Sequence, residues 1–172
     1  MIIPDNYITC GEVLPDCKDV TGSSVIAYDK AKKLYLKLNN MNTNETWLPS
    51  GGLNVDTDGK PLETYEECAR RELAEEAGIE RIDEIYELGI PIVSYYYNPN
   101  KKSNRRSLGY NYLAIVDSTQ ANKMNNEEHE NFAIEWTSYE DLYASINKDG
   151  EKGVEHWLQA LRWAKEKVES LL

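Results

Sequence analysis

The spacing of apolar and polar positions changes along the chain, and each change marks an element. The run Ser24-Val-Ile-Ala-Tyr28 is answered by Leu34-Tyr-Leu-Lys-Leu38 across a polar Asp29–Lys33 turn, which predicts a hairpin over 24–39. The polar stretch Asn39–Glu45 reads as a loop, after which Trp47-Leu48 leads into Pro49-Ser-Gly-Gly52. After residue 63 the period becomes helical. Cys68, Ala69, Leu73 and Ala77 form an apolar stripe, Thr64 and Glu67 supply a T-x-x-E capping box, and Gly78 stands where a C-terminal cap belongs. Strands are predicted at 88–97, 109–117 and 132–137, and a short helix over 138–146, opened by Thr137 or Ser138. The last segment, about 151–171, is a long amphipathic helix with Val154, Trp157, Leu158, Leu161, Ala164, Val168 and Leu171 on one face.

Strands joined by hairpins and mixed with few helices imply an α/β fold, a mixed sheet sandwiched between helices. With no internal repeat and no low-complexity linker, residues 1–172 read as one domain. Residues 1–20 are an N-terminal extension. The helix of 151–172 either covers the sheet or pairs with a second copy in a homodimer.

Composition narrows the function. The 172 residues and 19.7 kDa suit a single full-sized core, and 41% apolar with 28% charged residues is ordinary for a globular protein. A net charge of −11 repels nucleic acid and anionic membrane, so no general nucleic-acid binding and no membrane partner are expected. It equally repels polyphosphates, so an anionic substrate would need a metal ion or a cluster of Arg and Lys. Cys10, Cys17 and Cys68 have no zinc-site spacing and cannot all pair within one chain, which points to reduced thiols. Met1-Ile-Ile-Pro-Asp does not resemble a signal peptide, and no apolar run reaches the ~18 residues of a membrane span. The expectation is a cytoplasmic protein.

The most informative stretch is Gly51-Gly52 … Glu63 … Arg71-Glu72-Leu73-Ala74-Glu75-Glu76-Ala77-Gly78-Ile79. On a helix, residues advance by about 100° each, so Glu72, Glu75 and Glu76 fall on one face. Three carboxylates so close repel one another, and a bound hard cation such as Mg²⁺ or Mn²⁺ removes that repulsion. Arg71, four residues before Glu75, is placed to orient a carboxylate.

These residues resemble the Nudix box, G-x5-E-x7-R-E-U-x-E-E-x-G-U, in which U is aliphatic. From Glu63 to Ile79 the agreement is complete. Ten residues separate Gly52 from Glu63, however, where the motif has five, and the strictly spaced slot holds Thr57. The difference reads as a five-residue insertion in the loop 53–62, carrying Asp56, Asp58 and Gly59. The resemblance implies a Nudix-like α/β/α sandwich and a Mg²⁺-dependent hydrolase that cleaves a phosphoanhydride bond in a nucleoside diphosphate linked to another moiety, with Mn²⁺ as an alternative ion. It further implies Glu72, Glu75 and Glu76 as metal ligands, joined by the Gly51 backbone. Glu72 would also deprotonate the attacking water, Arg71 would position a carboxylate, and Glu63 would assist from behind. Many relatives recruit another carboxylate from the loop before the Trp-containing strand. Here Glu130, six residues before Trp136, is the first candidate, with Glu127 and Glu128 after it and His129 read as a loop histidine.

The nucleotide-derived substrate leaves fainter marks. Tyr95-Tyr96-Tyr97 falls where, in the resembled family, a tyrosine stacks on the base in dinucleoside polyphosphate hydrolases, so Tyr95 and Tyr97 are candidates, with core packing as the alternative. The basic cluster Lys101, Lys102, Arg105 and Arg106 lies at an expected hairpin tip, and Arg105 and Arg106 are candidates for holding a phosphate. ADP-ribose, nucleotide sugars and dinucleoside polyphosphates all remain open as substrates. The competing readings are a Nudix-fold sensor that binds without cutting, an RNA-associated module, and an interaction module built around the last helix.

Overall fold

Strand β2 (Lys18–Asp29) is the axis of the fold, and every residue on it from Ser23 to Asp29 is buried. A strand enclosed on both faces needs a layer on each side, and the rest of the chain supplies them. The computed structural model describes residues 1–121, 126–127, 130–149 and 153–172, with backbone alone at 126, 127, 130 and 149.

On one flank β2 runs parallel to β7 (Ser103–Val116), in register from Lys18↔Arg105 to Asp29↔Val116. A hairpin joins β7 to β6 (Glu84–Asn98), and β1 (Ile8–Cys10) adds a parallel edge to β6. The other flank of β2 is shared. Tyr28 and Asp29 pair with β3 (Leu34–Asn40), whereas Gly22, Ser23 and Ser24 pair with the short β5 (Ser50–Gly52). Beyond β3 lie β4 (Glu45–Trp47) on one side and β9 (Glu130–Thr137) on the other, the latter followed by β8 (Asn126–Glu127).

Alternation along the strands separates two cores. Val25, Ala27, Tyr112 and Ala114 meet Ala69, Leu73 and Ala77 of helix α1 (Tyr65–Ala77). Ile26, Tyr28, Leu113 and Ile115 face the opposite way, toward Leu142 of α2 (Tyr139–Ile146) and Leu158, Leu161, Ala164 and Val168 of α3 (Glu155–Ser170). The result is the expected α/β/α sandwich, and α3 covers the sheet. Each large side chain fully buried here contributes about 1.5–3 kcal/mol, so truncating Leu73 or Leu113 would loosen one helix layer from the sheet.

The caps read from sequence are formed. The Glu67 amide donates to Thr64 Oγ1 (3.2 Å), the Thr64 amide donates to Glu67 Oε2 (2.7 Å), and Gly78 closes α1 at φ 70°. Ser138 Oγ accepts from the Asp141 amide and opens α2.

Three expectations need correction. Helix α3 starts at Glu155 and not near 151, because Gly153 takes φ 78°, a left-handed conformation that no helix interior admits. Strand β6 begins at Glu84, its pairing shifting between Leu88 and Ile92 where Gly89 (φ 59°) and Pro91 interrupt the alternation. The basic segment forms the expected hairpin tip only at 99–102, with Lys101 and Lys102, whereas Arg105 and Arg106 lie within β7, which starts at Ser103. Residues 8–10 and 18–20 of the N-terminal extension join the sheet, as β1 and the start of β2. Among the described residues no helix is long and apolar enough to cross a membrane.

Candidate active site

Helix α1 lies against β5, and the carboxylates turn toward that strand. Glu72 and Glu76, one turn apart, are only 7% and 6% exposed, so the acidic stripe is not a solvated face. Glu76 Oε2 accepts the Ser50 amide (3.1 Å). Glu72 lies flush against Gly51, and a Cβ built on that glycine would fall 1.9 Å from Glu72 Oε1. Glu75 is half-exposed at the rim, its side chain 47% accessible.

Arg71 ties this group together. Its Nε and Nη2 donate to Glu63 Oε2 and Oε1 (3.1 and 2.6 Å), Nη1 donates to Glu72 Oε1 (2.6 Å) and Glu75 Oε2 (3.2 Å), and Nη2 also reaches the Gly52 carbonyl (2.9 Å). The bidentate bond to Glu63 keeps the guanidinium charged at any working pH and holds the Glu63 carboxyl below its ordinary range. Arg71 thus compensates part of the repulsion anticipated from sequence. Four carboxyl groups are gathered here, Glu63, Glu72 and Glu75 around the single guanidinium of Arg71 and Glu76 one helical turn from Glu72.

The 53–62 insertion does not disturb this network. It folds on itself: Val55 bridges Pro61, the Leu62 amide donates to the Asn54 carbonyl (2.8 Å), and Asp56 Oδ1 accepts from the amides of Asp58 and Lys60. Its base returns Glu63 to Arg71, where the Asn54 amide donates to Glu63 Oε1 (2.8 Å).

Residues fit for a divalent cation are therefore present. The donors are hard carboxylate oxygens, and the cradle at Gly51 is one that any side chain would fill. Among the described residues no group of three His, Cys, Asp or Glu side chains converges as a ready-made cation site; Arg71 stands among the carboxylates instead. The Gly51 carbonyl, expected as a ligand, accepts the Cys68 thiol at 3.4 Å. Burial pushes that thiol up to about 11, so Cys68 is an inert neutral group.

Behind β5 the sheet opens on its α3 side into a cleft of about 640 Å³. Ser50, Gly51 and Gly52 border it, so one three-residue strand has the cleft on one side and the carboxylates on the other. Its floor is the cross-strand pair Gly22–Gly109. Its wall is a run of aromatic rings: Tyr96 stacks on His156 (centroids 5.5 Å), and tilted contacts join His156 to Trp157 (5.3 Å) and Trp157 to Trp47 (5.9 Å). The Trp157 indole donates to Ser24 Oγ (3.3 Å). Burial lowers the His156 pKa to about 4, so its ring is neutral near pH 7.

The substrate candidates divide between the two faces of the β6–β7 hairpin. Tyr97 and Arg105 line the cleft. Tyr95 and Arg106 are turned to the other face, where Arg106 makes a bidentate bond to Asp19 (2.6 and 2.8 Å). Tyr96, passed over in favour of its neighbours, lines the cleft, as do His156 and Trp157, which helical periodicity had assigned to a core stripe or to nothing. The loop carboxylates are less accessible to description. Glu130 opens β9 and pairs with Glu127 of β8, the side chains of both lie outside the described residues, and Glu128 and His129 lie wholly outside them.

Comparison with known proteins agrees with this geometry. A search of curated protein sequences finds no match. Among solved structures, a Caenorhabditis elegans Ap4A hydrolase in a binary complex superposes with a TM-score of 0.59 at 17% identity, over 88% of this chain and 98% of that one. A Listeria monocytogenes protein assigned as a NUDIX hydrolase gives 0.60 at 18% identity (87% and 94% covered), and a NUDIX hydrolase from Nitrosomonas europaea gives 0.57 at 13% (87% and 90%). Identities this low establish the fold alone. The model of the NUDIX domain family matches residues 24–161, which takes in the carboxylate helix and most of the cleft lining, and the chain belongs to the NUDIX family of hydrolases.

Proposed function

We propose that the chain is a Mg²⁺-dependent pyrophosphohydrolase, able to use Mn²⁺, that cleaves a nucleoside diphosphate linked to another moiety. One observation carries this reading: the buried carboxylates Glu72 and Glu76 lie directly beneath β5, whose other side borders a nucleotide-sized cleft. A base held in the cleft would bring its phosphates over Gly51 and Gly52. The activity of the C. elegans neighbour, an Ap4A hydrolase, falls within the same substrate class.

Each residue has a role in this reading. Glu72, Glu75 and Glu76 hold the cation, and the Gly51 carbonyl keeps a second lone pair that could join them. When bound, the ion supplies charge neutralisation at the phosphate oxygens and a water of lowered pKa. Glu72 takes the proton of the attacking water. Arg71 fixes Glu72 and Glu75, and Glu63 fixes Arg71. Glu130, at the head of β9, is the loop carboxylate that the family resemblance adds to this set. On the substrate side, Tyr97 and Arg105 keep the roles expected of them, and Tyr96, His156 and Trp157 replace Tyr95 as the stacking surface. Arg106, committed to Asp19, is left to hold the hairpin.

The test is a product assay over ADP-ribose, nucleotide sugars, dinucleoside polyphosphates and nucleoside triphosphates. Mg²⁺-dependent release by the native chain, lost by about 100-fold or more in Glu75→Gln, supports the reading. Release that survives chelation of the metal, or survives Glu75→Gln intact, contradicts it.

A further inference from the structure

The cleft inverts the charge of the protein that contains it. Overall the chain carries −11, yet among the described residues the charged side chains lining the cleft are Lys101, Arg105 and Lys148 against Glu45, a balance of +3 and −1, or +2. Cations that line one cleft repel one another, and a bound anion relieves that repulsion.

Arg105 is the one arginine that lines the cleft among the described residues, and it differs from the chain's other arginines. Arg70 pairs with Glu66, Arg71 with Glu63, Glu72 and Glu75, Arg81 with Asp83, and Arg106 with Asp19, while Arg162 bonds the Tyr143 hydroxyl. Arg105 makes no ion pair among the described residues, and its Nε is buried with no hydrogen-bond partner. A buried N–H donor left without an acceptor costs free energy that a ligand could recover. The residue sits on the cleft floor strand, opposite Tyr96 across the hairpin and four residues from Gly109, which pairs with Gly22 beside β5. At about 3.3 Å per residue, Arg105 lies about 13 Å along β7 from the level of the Gly51–Gly52 edge. That separation exceeds the reach of the scissile diphosphate and suits a phosphate further along the substrate.

We propose that Arg105, supported by Lys101 and Lys148, is the specificity-determining anchor for an additional phosphate beyond the diphosphate held at β5. The substrate class is then nucleotides carrying three or more phosphates, and substrates whose second moiety is an uncharged sugar are the poorer ones. This deepens the hydrolase reading and rests on it.

The experiment compares kcat/KM for a dinucleoside tetraphosphate, ATP, ADP-ribose and a nucleotide sugar, using the native chain, Arg105→Ala and Arg105→Lys. The polyphosphate-to-sugar ratio should fall by about 10-fold or more in Arg105→Ala and be partly restored in Arg105→Lys, which keeps the charge and guards against a folding defect. Whether the ATP or the dinucleoside arm falls further tells a terminal from an internal phosphate. A ratio within about 2-fold of native in Arg105→Ala overturns the proposal. Should the native chain cleave none of the four with Mg²⁺ or Mn²⁺, the hydrolase reading fails by itself. Calorimetric binding of the tetraphosphate then decides: affinity about 10-fold weaker in Arg105→Ala supports the anchor, and equal or absent binding overturns it.

Discussion

Gly51 and Glu72 occupy space that neither could share with a side chain at position 51: a Cβ there would meet the Glu72 carboxylate at 1.9 to 2.7 Å. The glycine of the motif is thus explained by the helix that follows it, and not by backbone torsion. The obstacle is the tip of a mobile side chain, so Gly51→Ala should shift the carboxylate at a stability cost of only about 1 kcal/mol. Activity should suffer far more, by about 100-fold in kcat, since displacing a reacting group by an ångström is enough. Chemical denaturation and steady-state kinetics on one preparation test the pair of outcomes, and a variant that is fully active would remove Glu72 from the chemistry.

Arg71→Ala leaves three carboxylates facing one another without their shared partner. The side chain is 23% exposed, which places the expected loss below the ~3–5 kcal/mol of a fully buried pair, at about 2 kcal/mol. Arg71→Lys should recover little, because a lysine cannot reproduce the bidentate bond to Glu63. A double-mutant cycle with Glu63→Gln measures the coupling directly, and additive effects would show that the Arg71–Glu63 bond does not organise the site.

Glu63 also sets a pH response. Its carboxyl is depressed by the Arg71 bond, against some desolvation, with help from the Asn54 amide. A depressed carboxylate contributes stability that is fully present above its unfolded pKa and is lost as pH falls through the folded value. Native stability should therefore decline with acidification below the ordinary Glu range, and the slope should be shallower in Glu63→Gln. Equal slopes in the two proteins would place the acid sensitivity elsewhere, for instance at Asp19 beside Arg106.

His156 should behave in the opposite way to a catalytic histidine. Burial holds its pKa near 4, below the ordinary 6.5, so it stays neutral through the range in which histidines usually titrate. The unfolded chain then binds more protons than the folded one between those values, and stability rises with pH across that window. A proton NMR titration of the ring checks this; a midpoint above 6 would mean that its packing on Tyr96 and Trp157 is open to water.

How much of this was legible beforehand follows the physics of each signal. Local codes read well: the Thr64–Glu67 box, Gly78 and the apolar stripe of α1 depend on residues within a few positions of one another. So did the grouping of Arg71 with Glu75. Longer-range features did not. Strands β1, β4 and β5 are three residues each and exist only because a neighbouring strand offers its edge. The polar start of β7 disguised a strand as a loop, since Arg105, Arg106 and Ser107 acquire their alternation from pairing with β2. Choosing Tyr95 over Tyr96 was a choice of face, and face is set by register that a run of three tyrosines cannot reveal. Trp157 looks like any core position by helical period, yet it closes the cleft. The insertion at 53–62 obscured the motif in one dimension and leaves the Glu63–Arg71 contact intact in three.

The central proposal is that Glu72, Glu75 and Glu76 take up a divalent cation, and titration calorimetry with Mn²⁺ and Mg²⁺ addresses it most directly. Binding by the native chain, in the presence of nucleotide if not without it, and its loss in the Glu72→Gln and Glu76→Gln variants at unchanged fold is the result expected. Uptake that is identical in native and variant proteins, or no uptake in any of them under either condition, contradicts the account.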